Sequence, residues 1–246
     1  MRALSLLAAL VALVGCQETE PDPMPDLSDS VQPGATATPA SATTPDRPLA
    51  PASPESDTLV VLFFGDSLTA GYGLPDPDLA YPALVGDQIR QSGVPVEVVN
   101  AGVSGETSAG GKGRIAWALR QNTPDVFVLA LGANDGLRGT DPAATEANLS
   151  DILEAVREAA PDARLVVAGM EALPNYGADY GRRFRAVFPA VAERHGAALI
   201  PFLLEGVAGQ RRLNQADGVH PTAEGQRIMA ETVGRVVVPL AEGASG

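Results

Sequence analysis

The sequence predicts one α/β domain, with a parallel sheet covered by helices on both faces, and three observations carry that expectation. After Thr58, short runs of β-branched and other apolar residues recur at intervals too long for hairpins. Between them lie stretches with helical spacing of apolar positions, the alternation expected of βαβ units. Glycine and polar residues then collect directly behind the first three runs, where an open parallel sheet gathers its ligands.

Five strands are expected, near Leu59 to Phe64, Val96 to Asn100, Val126 to Leu131, Leu165 to Met170 and Ala198 to Pro201. Apart from Glu97 and Asn100 in the second, they are apolar and do not alternate, as strands buried on both faces read. The best marked helix begins at Asp141-Pro142, a side-chain cap followed by proline at the first helical position, and its apolar stripe is Leu149, Ile152, Leu153 and Val156 before Ala160-Pro161. Further helices are expected over Tyr81 to Gln91, Arg114 to Gln121, Tyr180 to His195 and Thr222 to Val238. No internal repeat is visible.

The first 57 residues read as address and tether. Met1-Arg2 and the apolar run Ala3 to Val14 have the form of a secretory signal, too short to span a bilayer. The run closes on Leu13-Val14-Gly15-Cys16, which resembles the bacterial lipobox. By that resemblance residues 1–15 are removed and Cys16, the chain's one cysteine, is lipidated. A single cysteine can form neither an internal disulfide nor a cysteine metal cluster. Gln17 is not the aspartate that resembles an inner-membrane retention signal, so outer-membrane anchoring facing the periplasm is expected if the source is Gram-negative. Residues 16–57 are rich in Pro, Ala, Thr and Ser and have little to bury, which predicts a disordered tether. The folded domain is then residues 58–241, and 242–246 form a short tail.

The chain carries a formal net charge of −13. From Thr58 onward 22 acidic residues face 15 basic ones, with no basic stripe, which argues against nucleic acid as a partner. The expected partners are a small-molecule substrate and, through the lipid, a membrane; a monomer is expected.

Ser67 ends a buried run in the turn Gly65-Asp66-Ser67-Leu68. A serine there is ordinarily a turn residue or helix cap, and a hydroxyl is a poor nucleophile without an oriented base. The chain has two histidines. His195 precedes Gly196 at an apparent helix end, where a histidine is favoured by the helix dipole, and is read as structural. His220 lies in Asp217-Gly-Val-His220-Pro221, where a carboxylate three residues away can hold one ring nitrogen while a serine approaches the other. Gly105, in Val103-Ser-Gly105-Glu-Thr107, and Asn134, in Gly132-Ala-Asn134-Asp135, are each compatible with a plain turn.

Taken together, these four blocks resemble the SGNH (GDSL) hydrolases over Thr58 to about Leu240. Longer matches, Gly65-Asp-Ser-Leu-Thr-Ala-Gly-Tyr-Gly-Leu74, Gly132-Ala-Asn-Asp-Gly-Leu-Arg-Gly139 and Leu173-Pro-Asn-Tyr-Gly177, are similar to the bacterial thioesterase I, lysophospholipase L1 and arylesterase group. The resemblance implies a flavodoxin-like three-layer α/β/α fold and a serine esterase acting on acyl esters and thioesters. It implies Ser67 as nucleophile, His220 as base and Asp217 as its orienting carboxylate. The oxyanion donors would be the N–H groups of Ser67 and Gly105 and the Asn134 side chain, and no metal or other cofactor would be needed. Leu173, Tyr176 and Phe202 are candidate substrate-binding residues of an acyl groove. The alternatives are a carbohydrate-ester deacetylase of the same fold and a non-catalytic lipid-binding surface lipoprotein.

Overall fold

The computed structural model describes residues 58–244. The signal segment, Cys16 and the tether lie outside the described residues. Five parallel strands, β1 (Leu59–Gly65), β2 (Val96–Gly102), β3 (Val126–Ala130), β4 (Arg164–Ala168) and β5 (Ala198–Ile200), form one sheet in the order β2-β1-β3-β4-β5. β1 runs in register with β2 from Leu59↔Val96 to Gly65↔Gly102, and with β3 from Val61↔Val126 to Gly65↔Ala130. Val61 to Phe64 and the whole of β3 are buried, as continuous apolar runs require.

The helices are α1 (Ser67–Ala70), α2 (Tyr81–Gln91), α3 (Ser108–Gln121), α4 (Ala133–Arg138), α5 (Pro142–Ala159), α6 (Gly177–His195) and α7 (Ala223–Ala244). Right-handed crossovers sort them. The β1-to-β2 connection runs one way along the sheet and puts α2 on one face. The later connections run the other way and put α3, α5 and α6 on the opposite face, where they pack in sequence. α7 returns to pack on α2. Strand order therefore reverses between β1 and β3, and the crevice that receives ligands in such sheets opens at the carboxyl ends of these strands.

Several boundaries differ from the sequence expectation. α3 begins at Ser108, six residues early, through Ser-Ala-Gly-Gly-Lys-Gly, a poor helix former. Packing overrides propensity there, because any Cβ at Gly111 would strike the Leu131 side chain and crowd Phe64. α7 continues through Pro239 to Ala244, six residues beyond the expected end at Val238, although proline opposes a helix interior. Buried Val237 and Ala241 hold the last turns on the core, and the Arg164 guanidinium donates to the Leu240 and Gly243 carbonyls. The short α1 and α4 were not expected as helices.

Candidate active site

Ser67 is the first residue of α1, immediately behind β1, with Asp66 as its cap accepting from the Leu68 N–H at 3.0 Å. The turn is tight because the end of β2 runs directly beneath it. A Cβ at Gly102 would collide with the Ala70 backbone, so glycine is required there for close approach and not for a left-handed turn. Gly105 does adopt the left-handed conformation, with φ +78°, and thereby turns the loop after β2. Among the described residues, neither the Ser67 nor the Gly105 N–H is tied to a loop or turn carbonyl.

Asn134 lies in the first turn of α4, behind β3. Its Nδ2 donates to the Glu106 carbonyl at 3.0 Å and lies 3.5 Å from Asp66 Oδ2. Asp135 beside it is buried and accepts from the Ser108 N–H at 2.8 Å, from Ser108 Oγ at 2.6 Å and from Thr145 Oγ1 at 3.3 Å. These bonds fix α4 to the starts of α3 and α5. Ser67, Gly105 and Asn134 thus hang from the ends of β1, β2 and β3, around the point where strand order reverses.

The residue that ties these turns together is Arg114, whose role the sequence did not disclose. Its Nε donates to both Glu106 oxygens at 2.7 and 2.9 Å, and its Nη2 donates to Glu106 Oε2 at 2.6 Å, to the Ala101 carbonyl at 2.7 Å and to the Gly65 carbonyl at 3.3 Å. The guanidinium also lies 3.9 Å from the Phe64 ring centroid. One half-buried cation therefore neutralises Glu106 and holds the Gly65 and Ala101 carbonyls near the ends of β1 and β2, a fork geometry only arginine provides. The signal available in the sequence was one arginine eight residues behind a glutamate, which reads equally well as a surface pair.

Asp217 and His220 stand on an irregular loop ahead of α7. Asp217 Oδ1 accepts from the Val219 and His220 N–H groups at 2.9 and 3.0 Å, while Oδ2 lies 2.7 Å from His220 Nδ1. The bonds from the His220 ring and then from the two amides hold the Asp217 carboxyl well below the usual carboxylate range, so it is an acceptor only. Nδ1 therefore carries the ring proton and Nε2 presents its lone pair, 3.0 Å from Ser67 Oγ. Two segments 153 residues apart in the chain thus bring Asp217, His220 and Ser67 into one hydrogen-bonded line. His195 instead closes α6 at the opposite pole of the sheet, where burial lowers its pKa.

The crevice over Ser67 has a volume of about 490 Å³. Gly105, Asn134 and His220 line it with Ser67, and its walls include Leu137, Met170, Leu173, Phe202 and Leu204. Leu173 and Phe202 are thus where the sequence reading put them. Tyr176 is not. Its hydroxyl donates to the Leu137 carbonyl at 3.0 Å and its ring packs against Tyr180, so it props the wall from behind. Among the described residues no three His, Cys, Asp or Glu side chains converge to hold a metal ion, and no helix is long and apolar enough to cross a membrane.

Residues 63–228 match the sequence model of the GDSL-like Lipase/Acylhydrolase family. The chain is 40% identical over 185 residues to Esterase TesA of Pseudomonas aeruginosa, covering 75% of this chain and 90% of that protein. It is 37% identical over 185 residues to Thioesterase 1/protease 1/lysophospholipase L1 of Escherichia coli (strain K12), covering 75% of this chain and 85% of that protein. A crystal structure of TesA superposes with a TM-score of 0.70 at 39% identity, over 74% of this chain and 99% of that one. This chain belongs to the GDSL-like lipase/acylhydrolase family and is an SGNH-type hydrolase of ester bonds.

Proposed function

We propose that the protein hydrolyses acyl esters and thioesters through an acyl-enzyme on Ser67, and the relay Asp217–His220–Ser67, with contacts of 2.7 and 3.0 Å, carries this reading. His220 Nε2 takes the Ser67 proton as Oγ attacks the acyl carbonyl. Negative charge then builds on the carbonyl oxygen, which the Ser67 and Gly105 N–H groups and the Asn134 amide receive. His220 returns the proton to the leaving alcohol or thiol, and the carbon–oxygen or carbon–sulfur bond breaks. Water, deprotonated by the same nitrogen, attacks the ester on Ser67; the acid leaves and Oγ recovers its proton. Asp217 stays ionised and holds the ring in the required tautomer throughout.

The apolar walls formed by Met170, Leu173, Phe202 and Leu204 favour acyl chains longer than acetyl. The relatives named esterase, thioesterase and lysophospholipase point to the same substrate class. Hydrolysis of p-nitrophenyl esters from acetyl to palmitoyl by the full chain, beside Ser67→Ala, tests the proposal. Loss of all long-chain activity in the variant supports it, activity confined to acetate favours a deacetylase, and equal rates in the two proteins remove Ser67 from the chemistry.

The lipobox-like Leu13 to Cys16, with Gln17 behind it, supports a second part of the reading: an exported lipoprotein, anchored in the outer membrane of a Gram-negative source. Membrane fractionation tests the anchor, because Cys16→Ser then releases the protein into the soluble fraction. An unchanged distribution rejects it.

A further inference from the structure

Ser67 is fixed by the sheet, but His220 is not. Its loop belongs to no strand, Asp217 and Val219 within it are exposed, and the 3.0 Å contact to Ser67 needs something to set the distance between them. The loop is closed at its base by Asn214, whose Nδ2 donates to the Val207 and Gln210 carbonyls at 2.8 and 2.9 Å, and by the Thr222 N–H donating to the Leu213 carbonyl at 2.9 Å. Those bonds shape the loop without touching the segment that carries the nucleophile.

Gln215 does touch it. Its own N–H donates to the His220 carbonyl at 2.7 Å. Its Nε2 donates at once to the Pro221 carbonyl at 3.0 Å and, across the site, to the Tyr72 carbonyl at 2.7 Å. Both side-chain partners are carbonyls, so the amide orientation is dictated and both of its hydrogens are used. Tyr72 in turn donates its N–H to the Ser67 carbonyl at 3.0 Å and lays its ring 4.6 Å from the His220 ring centroid. A closed circuit results: Ser67 to Tyr72, Tyr72 to Gln215, Gln215 to His220, and His220 back to Ser67. Gly73 completes it. With φ +75° it turns the chain behind Tyr72, and a Cβ there would collide with Gln215 Oε1. The other polar link between the segments, Gln226 Nε2 to the Leu68 carbonyl at 3.3 Å, starts from α7, beyond the loop.

We infer that Gln215 is a positioning residue for the acid–base half of the site, bridging Tyr72 and His220 so that the imidazole stays within hydrogen-bond reach of Ser67. Part of the inference rests on the proposed hydrolysis, namely its kinetic consequence; the contact itself does not. A placement error of about 1 Å in a reacting group can cost a hundredfold in rate, so one amide bridging two loops has leverage far above its contribution to stability.

The test reads the contact and the rate separately. With two histidines in the chain, 15N-histidine labelling of the full-length protein resolves His220. Ser67→Ala moves the His220 Nε2 resonance, because that nitrogen loses its partner. In a Gln215→Ala background the same step is expected to move it by less than half as much. An undiminished response overturns the inference whatever the protein hydrolyses, and so does a wild-type resonance that ignores Ser67→Ala. Should Gln215→Ala unfold, Gln215→Glu keeps the size, removes both donors and is read by the same criterion.

In the kinetic arm, Gln215→Ala lowers kcat roughly 10- to 100-fold with KM within twofold. Gly73→Ala gives the same split by displacing the amide, and the double variant is no slower than the slower single one. Multiplying losses, or a kcat within twofold of wild type, overturn the inference. If the wild type hydrolyses no ester but the resonance responds as expected, the hydrolytic reading fails while the bridge stands.

Discussion

The two halves of the site are built by different means. Ser67, Gly105 and Asn134 hang from the carboxyl ends of three adjacent strands, and a largely buried ion pair with side chains 7% and 20% exposed, Glu106 and Arg114, locks the turns that bear them. Asp217 and His220 sit on an irregular loop, where the Asp217 side chain is 42% exposed and, among the described residues, the side-chain hydrogen bond that joins that loop to the nucleophile segment besides the His220–Ser67 contact itself comes from Gln215. The difference suits the work proposed for each half. Amides that receive developing charge stabilise it only if they need not reorganise, which favours a rigid strand-end scaffold. An imidazole that moves protons among three partners needs correct distance and tautomer, which a short loop with a few well-placed bonds supplies.

The sharpest way to break the comparison is to remove the relay and leave the strand-end amides. Ser67→Ala or His220→Ala should each lower kcat by about four orders of magnitude or more, and the double variant should be little worse, since the two act as one unit. Turnover measured on a long-chain p-nitrophenyl ester checks this, and additive losses would separate them. Next in size is Asn134→Ala, expected to lower kcat about 100- to 1000-fold with a small change in KM. A loss below about fivefold in a folded variant would leave the charge to the two backbone amides.

Glu106→Ala probes the lock itself. It leaves the Arg114 cation partly buried without its carboxylate, so a stability loss of about 3 kcal/mol in urea unfolding is expected, with a drop in kcat as the Gly105 turn loosens. Removing Asp217 gives the opposite pattern, little change in stability and a large loss of turnover. If both variants lose stability equally, the two halves are not mechanically distinct.

The last effect is one of pH. Burial, opposed by the Leu68 N–H and the nearby His220, pushes the Asp66 carboxyl up to about 7 from the usual 3.8. Between those values the folded protein keeps a proton that the unfolded chain has released. Asp66 therefore adds stability that is fully present below about pH 4 and is lost as pH rises through about 7. Relative to Asp66→Asn, which keeps a capping side chain, the wild-type urea midpoint should fall between pH 5 and pH 8. Parallel profiles for the two proteins would show that Asp66 is ionised throughout. Asp217, held low, works in reverse: its contribution is present above about pH 4 and is lost only in acid.

Much of this molecule was legible before folding. The five strands fall within about two residues of expectation, and α2 and α5 nearly coincide with their predicted ranges, because burial on both faces and a proline-led cap leave unambiguous patterns. The short α1 and α4 left none, since a single turn of helix has no period to detect. α3 and α7 were cut short because Gly110 to Gly113 and Pro239 oppose helices, and their opposition is overcome only by neighbours distant in sequence.

What the sequence by itself determined is the set of groups the proposed chemistry would use, the residue types that can make a nucleophile, a base, its carboxylate and amide donors, placed at strand ends and in the loop before the last helix. What only the tertiary structure decided is which residues hold those groups in place. Arg114 spans β1, β2 and the Gly105 loop, Tyr176 braces a wall it does not line, and Gln215 reaches a carbonyl 143 residues away. A catalytic side chain is marked by its own chemistry. A supporting side chain is marked by the distances to its partners, which exist only once the chain has folded.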